Sequence, residues 1–422
     1  RNLEVERDDL TGTLVWDTAL GMAREVRSDV DLRYSLSKTP PIRAQVTSSD
    51  RVMRTNGGSA DQSDDRPDDL ARLLEQACAR FEQPAIAAAV VSPERVLAIG
   101  VAGVRVQGGD SAVTLEDRWH IGSCTKMMTG TVLARALNDR TRLGLRTELV
   151  HFFPGFKDRI HPRYEDATVA DLLAHTAGVP ELTNGMAPDR VALDDLPDDP
   201  RKARAAFAQR VLTASNDDAY APVNAAPAFV YSNAGFGIAA AIAEDLTGQS
   251  WEALLERDIF RPLGMDGAGV GWPASVNAQT QPRGHYPGLM SVRAQPVDDA
   301  YQLRAAIDPA GDVHATIGGW ASFAQDRLRA LTGGASEVLD AGTTLALVTP
   351  AEGATYAGGF IVADTPDLGR LYAHDGSAGT FYASLWLLPE RDLGVLIVTN
   401  AGTGAEACEA VRGRLLERYL AE

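Results

Sequence analysis

Apolar residues Leu70, Leu73, Leu74, Ala77 and Phe81 recur at helical spacing behind Pro67-Asp68-Asp69, which predicts a helix opening there. The period then shortens. Ala85 to Val91 and Arg95 to Val104, joined by Ser92-Pro93-Glu94, read as two strands of an antiparallel hairpin. Met127 to Asn138 is helix-like, and a mostly helical region broken by Pro and Gly extends to about residue 340. Strand periodicity returns after about residue 355, at Gly358 to Ala363, Leu368 to His374, Thr380 to Leu388 and Leu393 to Thr399. Ala405 to Leu420 then closes the chain as an amphipathic helix. This order lets the first strands join the last ones in one antiparallel sheet with the terminal helices on a face. The expected fold class is α+β (α/β sandwich-like): a sheet lobe of about 66–122 and 340–422, and an all-helical lobe of about 123–339. A cleft between the lobes is where a site is expected.

Residues 1 to 65 follow a different pattern. Thr11 to Trp16, Asp31 to Ser37 and Ile42 to Thr47 are short strand candidates around a helix-like Ala19 to Val26, and Asn56 to Asp65 is a polar linker. The segment is too small to promise a core of its own and is expected to be an appendage to the main domain, residues 66–422. No role for it is legible.

With 422 residues, 45% of them hydrophobic, the chain belongs to the soluble globular class, with ample core for one large domain or two ordinary ones. Forty Lys and Arg against 57 Asp and Glu give a formal charge of -17, which argues against nucleic acid or an anionic membrane surface as a partner. No apolar run reaches the roughly 18 residues of a membrane span, and no signal-like segment opens the chain. Because residue 1 is Arg, a leader already removed stays open, and so does the localisation. Cys78, Cys124 and Cys408 are far apart and odd in number, so they read as free thiols without metal spacing. The acidic stretch Ala187 to Pro200 reads as a loop or lid, since its Asp residues lack calcium-loop spacing.

The chemistry concentrates in three stretches. In Ser123-Cys124-Thr125-Lys126, helical spacing would bring a hydroxyl and an amine together on one face, a nucleophile beside a base, at a helix N-terminus with unpaired N–H groups. Cys124, next to it, reads as a small buried residue. Phe229-Val230-Tyr231-Ser232-Asn233-Ala234-Gly235 leads into a helix Phe236 to Leu246 that Gly248 ends, so Tyr231 could project into a cleft while Ser232 or Asn233 caps the helix. The same residues contain Gly235-x-Gly237-x-x-Ala240, but the preceding Asn224 to Ala228 is poor strand material for a dinucleotide fold. The third stretch is Tyr372 to Thr380, where His374 ends a strand and Gly376 permits a close backbone approach.

Taken in order, S-x-x-K, Y-S-N and His-x-Gly resemble the motifs of class C β-lactamases, serine D-alanyl-D-alanine carboxypeptidases and family VIII esterases. Asp171 to Pro180 and Ile259 to Met265 resemble hallmarks of the same family, with His175 as a fold residue. The similarity runs from about residue 66 to the C-terminus. It implies Ser123 as the nucleophile of an acyl-enzyme, and Lys126 and Tyr231 as its proton-transfer pair, with the base undecided between them. It further implies His374 as a donor or relay, Asn233 as the orienter of a substrate amide, and the N–H groups of Ser123 and Ser377 as an oxyanion hole. No metal or cofactor is implied, the substrate is a small molecule or peptide, and the oligomeric state is open. Where β-lactamases carry Lys-Thr-Gly, this chain has His374-Asp375-Gly376. If Asp375 faces the site, it repels a substrate carboxylate by on the order of 1 kcal/mol at a wet 4 Å separation, and more when desolvated; if it points away, the objection disappears. An ester or amide hydrolase or an acyl transferase is therefore expected ahead of a carboxypeptidase or an efficient β-lactamase. A penicillin-binding sensor that is acylated without turnover is the reading that involves no enzyme.

Overall fold

The computed structural model describes residues 3–4, 13–17, 22–25, 34–36, 66–138, 140, 142–183, 192–215, 218, 229–276, 280–288, 291–296 and 303–421. The chain divides into two compact units, Arg1–Asp69 and Leu70–Glu422. In the first, β1 (Leu3–Glu4), β2 (Thr13–Asp17), β3 (Met22–Glu25) and β4 (Tyr34–Leu36) form a four-stranded antiparallel meander. Here the expected helix at Ala19 to Val26 is corrected: Met22–Glu25 is a strand, paired on both sides, because hydrogen bonds to neighbouring strands outweigh the weak helical preference of four residues. The expected strand Ile42 to Thr47, the linker Asn56 to Asp65 and the first part of the lid, up to residue 191, lie outside the described residues.

The second unit takes α1 (Arg66–Arg80) from Leu70 onward and continues with β5 (Ala85–Val91) and β6 (Val96–Gly103), the predicted helix and hairpin. It ends with β12 (Tyr356–Ala357), β13 (Phe360–Thr365), β14 (Gly369–Ser377), β15 (Tyr382–Leu388) and β16 (Leu393–Thr399), and with the terminal helix Ala405–Leu420. These strands make one sheet, in the order β12-β13-β14-β15-β16-β5-β6. The pairing of β16 with β5 is the closure expected from the sequence order. Every residue of Ala85–Val91 and of Leu393–Thr399 is buried, because both faces of these central strands are covered, which is why they read as unbroken apolar runs without alternation.

Between the two parts of the sheet lie β7 (Arg118–His120), α2 (Thr125–Asn138), α3 (Val169–Leu173), α4 (Pro200–Leu212), α5 (Asn233–Thr247) and α6 (Trp251–Leu255). After them come β8 (Gly269–Val270), β9 (His285–Tyr286), β10 (Arg293–Ala294), β11 (Val313–Thr316), α7 (Ile317–Leu331) and α8 (Ala341–Val348). The middle of the chain is thus helical with short ladders added: β7-β11-β8 form one small sheet and β9-β10 another. The terminal helix Ala405–Leu420 is hereafter α9.

The sheet register assigns side chains to faces. Asp375, Ser384, Ile397, Ala88 and Gly100 form one cross-strand row. Leu70 and Leu74 of α1 lie over Gly100, and Arg412 of α9 donates to the Ser384 hydroxyl, so this face belongs to the terminal helices. The neighbouring row is His374, Leu385, Leu396, Ala89 and Ile99, and Ile99 meets α7 at Gly318. Strand alternation therefore sends His374 and Asp375 to opposite faces.

Gly235 and Gly237 sit inside α5. A Cβ at Gly237 would lie 2.1 Å from the Ala306 carbonyl oxygen and one at Gly235 would lie 3.0 Å from that of Leu172. These glycines let a helix approach neighbouring backbone, which is the physical origin of the spurious dinucleotide pattern.

Candidate active site

Ser123 lies in a single 3-10 turn, Gly122–Cys124, directly before α2. The turn is jammed against β14. Gly122 has φ +50°, and a Cβ there would stand 2.4 Å from the Ser377 nitrogen; a Cβ at Gly376 would stand 2.1 Å from the Ile121 carbonyl oxygen and 2.8 Å from the Ser123 nitrogen. Two glycines thus bring the Ser123 and Ser377 backbones together, the placement an oxyanion pocket between two amides requires. The Ser377 hydroxyl is occupied in its own turn, donating to the Phe381 carbonyl and accepting from Gly379 N–H.

Lys126 is fully buried on the first turn of α2, with Nζ 3.2 Å from Ser123 Oγ, 2.8 Å from Asn233 Oδ1 and 2.7 Å from the Ala310 carbonyl oxygen. The rings of Tyr231 and Phe236 pack at 4.7 and 5.5 Å from Nζ. Burial drives its pKa well below the ordinary lysine value of 10.5, since a desolvated ammonium is disfavoured. A neutral amine has two N–H bonds and one lone pair. The Asn233 and Ala310 oxygens can only accept, so they take the two N–H bonds, and the lone pair is left for the one partner able to donate, the Ser123 hydroxyl.

Ser232 is the N-cap of α5: its hydroxyl accepts from Gly235 N–H and donates to the Pro180 carbonyl. Its backbone N–H donates to His175 Nδ1 at 3.0 Å. His175, at φ +62°, packs its ring 4.4 Å from that of Tyr231 and 4.5 Å from that of Tyr356, and burial keeps it neutral. It is the brace that holds the turn carrying Tyr231. Asn233 donates through Nδ2 to the Leu182 carbonyl while its oxygen holds Lys126, so both ends of the amide that was expected to orient substrate are engaged by protein.

His374 is buried, its pKa pushed down to about 3 by desolvation and then by the nearby Lys126. Its Nδ1 lies 2.5 Å from the Asp375 carbonyl oxygen and its Nε2 lies 2.9 Å from the Tyr356 hydroxyl. A carbonyl can only accept, so Nδ1 carries the proton and Tyr356 donates to Nε2. Tyr356 escaped sequence reasoning; its only signal was an aromatic beside Gly358-Gly359, a pair that presses β12 against the first turns of α2.

Asp375 requires a correction. Its carboxylate lies on the terminal-helix face, where it acts electrostatically on Tyr382, Cys408 and Glu409. Strand alternation turned it away from Ser123, and the repulsion of a substrate carboxylate falls with it. Asp375→Thr is accordingly expected to leave the rate of Ser123 acylation by a penicillin within about twofold; stopped-flow acylation showing a tenfold gain would restore the repulsion. Cys124, fully buried with its thiol directed at the His374 carbonyl and its pKa raised well above 9.0, chiefly by burial, carries no reactive thiolate. Among the described residues, no group of His, Cys, Asp and Glu could hold a metal ion, and no helix is long and apolar enough to cross a membrane.

Behind the nucleophile runs a further buried group. His120 Nε2 lies 3.0 Å from Asp312 Oδ1, and His120 Nδ1 accepts Gly122 N–H at 3.3 Å. Burial lowers the pKa of His120 to about 3 and raises those of Asp312 and of its neighbour Asp308.

A sequence model of the Beta-lactamase family matches residues 70–418. The chain is 25% identical over 313 residues to penicillin-binding protein 4 of Amycolatopsis lactamdurans, covering 71% of this chain and 76% of that one. Among solved structures, the octameric penicillin-binding protein homologue from Pyrococcus abyssi superposes with a TM-score of 0.65 at 21% identity, covering 83% of this chain and 77% of that chain. The D-amino acid amidase from Ochrobactrum anthropi SV3, in complex with L-phenylalanine, superposes with a TM-score of 0.63 at 19% identity, covering 83% and 99%.

Proposed function

The chain belongs to the beta-lactamase family, and from that premise we propose that it is a serine hydrolase whose Ser123 forms an acyl-enzyme with an ester or amide. The observation that carries the reading is the buried Lys126 amine, 3.2 Å from Ser123 Oγ with two acceptor-only oxygens on its other side. Lys126 takes the Ser123 proton as the hydroxyl attacks the carbonyl carbon, and the developing oxyanion settles between the Ser123 and Ser377 N–H groups. Tyr231, whose ring packs 4.7 Å from Lys126 Nζ, is the group to which this reading gives the transfer of the proton to the leaving group. Water then releases the acyl group by the reverse sequence. His374 and Tyr356 hold each other in one protonation pattern. The names of the relatives, a penicillin-binding protein and an amidase, agree with acyl transfer and leave the acyl group open.

The test is intact-protein mass after exposure to a penicillin, a cephalosporin, short-chain p-nitrophenyl esters and amino acid amides, with product release followed in parallel. Turnover of an ester or amide through a transient adduct supports the reading. A stable penicillin adduct with no turnover of any member would favour the sensor reading, and efficient β-lactam turnover would make the protein a β-lactamase.

Lys126 also sets a pH dependence. The neutral amine is the active form, and burial disfavours the cation, so the acid limb of Ser123 acylation is expected well below 10.5. In the window between the lowered native pKa and 10.5 the unfolded chain binds a proton that the native one does not. The stability contributed by this group therefore rises with pH up to 10.5 and is lost as pH falls toward the native value. A pH–rate profile whose limb lay near 10 would exclude Lys126 as the base.

A further inference from the structure

Ser123 is only as well placed as Gly122 before it, and Gly122 sits at φ +50° with no room against Ser377 and Gly376. Its N–H is held by His120 Nδ1 at 3.3 Å. A neutral imidazole carries one proton; with Nδ1 accepting, that proton is on Nε2, where Asp312 Oδ1 takes it at 3.0 Å. The histidine is fully buried, its ring 4.4 Å from that of Trp272, and Asp312 is 5% exposed. Asp312 belongs to a short segment that grips the start of α2 throughout. Pro309 accepts from the Thr129 hydroxyl, Ala310 accepts from Lys126 Nζ, Val313 N–H donates to Thr125 Oγ1, and Val313 accepts Ile121 N–H.

Resting on the reading of Ser123 as nucleophile and Lys126 as base, we propose that Asp312 and His120 are positioning residues: Asp312 locks the Nε2–H tautomer of His120, which holds the Gly122 amide and so sets the nucleophile turn against the base. One segment, residues 309–313, thereby fixes both partners of the first proton transfer, Lys126 through the Ala310 carbonyl and Ser123 through Asp312, His120 and Gly122. Without an acceptor at position 312 the imidazole can move its proton to Nδ1. An N–H would then face the Gly122 N–H, and the turn loses its anchor.

The test compares Asp312→Ala with Asp312→Asn, whose amide oxygen still accepts from Nε2–H. Acylation of Ser123 by a fluorophosphonate is expected to slow about 30- to 100-fold in the alanine variant with the probe's binding constant little changed, and to return to within about threefold of wild type in the asparagine variant. In case Asp312→Ala does not fold, His120→Asn and His120→Gln form a second pair. Asparagine offers an oxygen near the Nδ1 position and should retain acylation; glutamine keeps only the outer contact and should lose it. The structural arm is independent of reactivity: nitrogen NMR of the wild type should show His120 as neutral Nε2–H at pH 7, and exchange of the Gly122 amide should accelerate at least tenfold in Asp312→Ala. Equal acylation in the two Asp312 variants, or an Nδ1–H tautomer in the wild type, overturns the proposal. No labelling of wild-type Ser123 would instead overturn the nucleophile reading, and the positioning role with it, while the tautomer arm still reports on the geometry.

Discussion

Ser123→Ala is expected to abolish the covalent adduct and to lower turnover by about 10⁴- to 10⁶-fold, with substrate affinity little changed. The size follows from what is removed. The hydroxyl is the group that the proposed mechanism supplies with a base, Lys126 Nζ at 3.2 Å, and it sits where the Ser123 and Ser377 backbones are brought together. Cys124 cannot substitute, because its thiol is fully buried against the His374 carbonyl with its pKa raised. The fold should survive: alanine fits the turn, and Lys126 keeps its two stronger contacts. The check is single-turnover kinetics with intact mass on both proteins, at matched melting temperatures. Residual turnover within tenfold of wild type would place the nucleophile elsewhere.

Gly376→Ala should be almost as damaging to activity, for a steric reason. The added methyl would stand 2.1 Å from the Ile121 carbonyl oxygen and 2.8 Å from the Ser123 nitrogen, both backbone atoms that no rotamer change can move. β14 and the Gly122–Cys124 turn must separate, which opens the space between the Ser123 and Ser377 amides and carries the nucleophile away from Lys126. Overpacking of this kind costs typically about 1–3 kcal/mol of stability, and the loss of oxyanion contacts a further 10²- to 10³-fold in rate. Gly379 is the control: it lies at φ +89° in the connection from β14 to β15 with no atom within 4 Å of its missing Cβ, so Gly379→Ala carries backbone strain without the clash. Thermal unfolding together with acylation rates separates the two. If both variants acylate alike, close approach of β14 is not what shapes the site.

Periodicity alone sufficed for α1, the β5–β6 hairpin, the C-terminal strands and α9, because each is a long segment whose two-sided or one-sided burial is written into consecutive residues. It failed at Met22–Glu25, where four residues carry no periodic signal strong enough to compete with strand pairing. Motif order supplied the three stretches of the site, and the Ser123–Lys126 contact followed from the spacing of three residues at a helix start. Orientation was a different matter. His374 and Asp375 are adjacent, and only the register of β14 against β15 decides which of them turns toward Lys126. The contacts around the candidate site were likewise invisible: Ala310 is 184 residues from Lys126, Asp312 is 192 from His120, and each bonds through a carbonyl or a carboxylate with no local pattern. Sequence by itself determined the long elements, the family and the side chains proposed to react, since those depend on local spacing and side-chain chemistry. Tertiary structure alone decided which groups face one another, how dry the lysine is and where its protons go, because desolvation and hydrogen-bond partners come from segments brought together only by the fold.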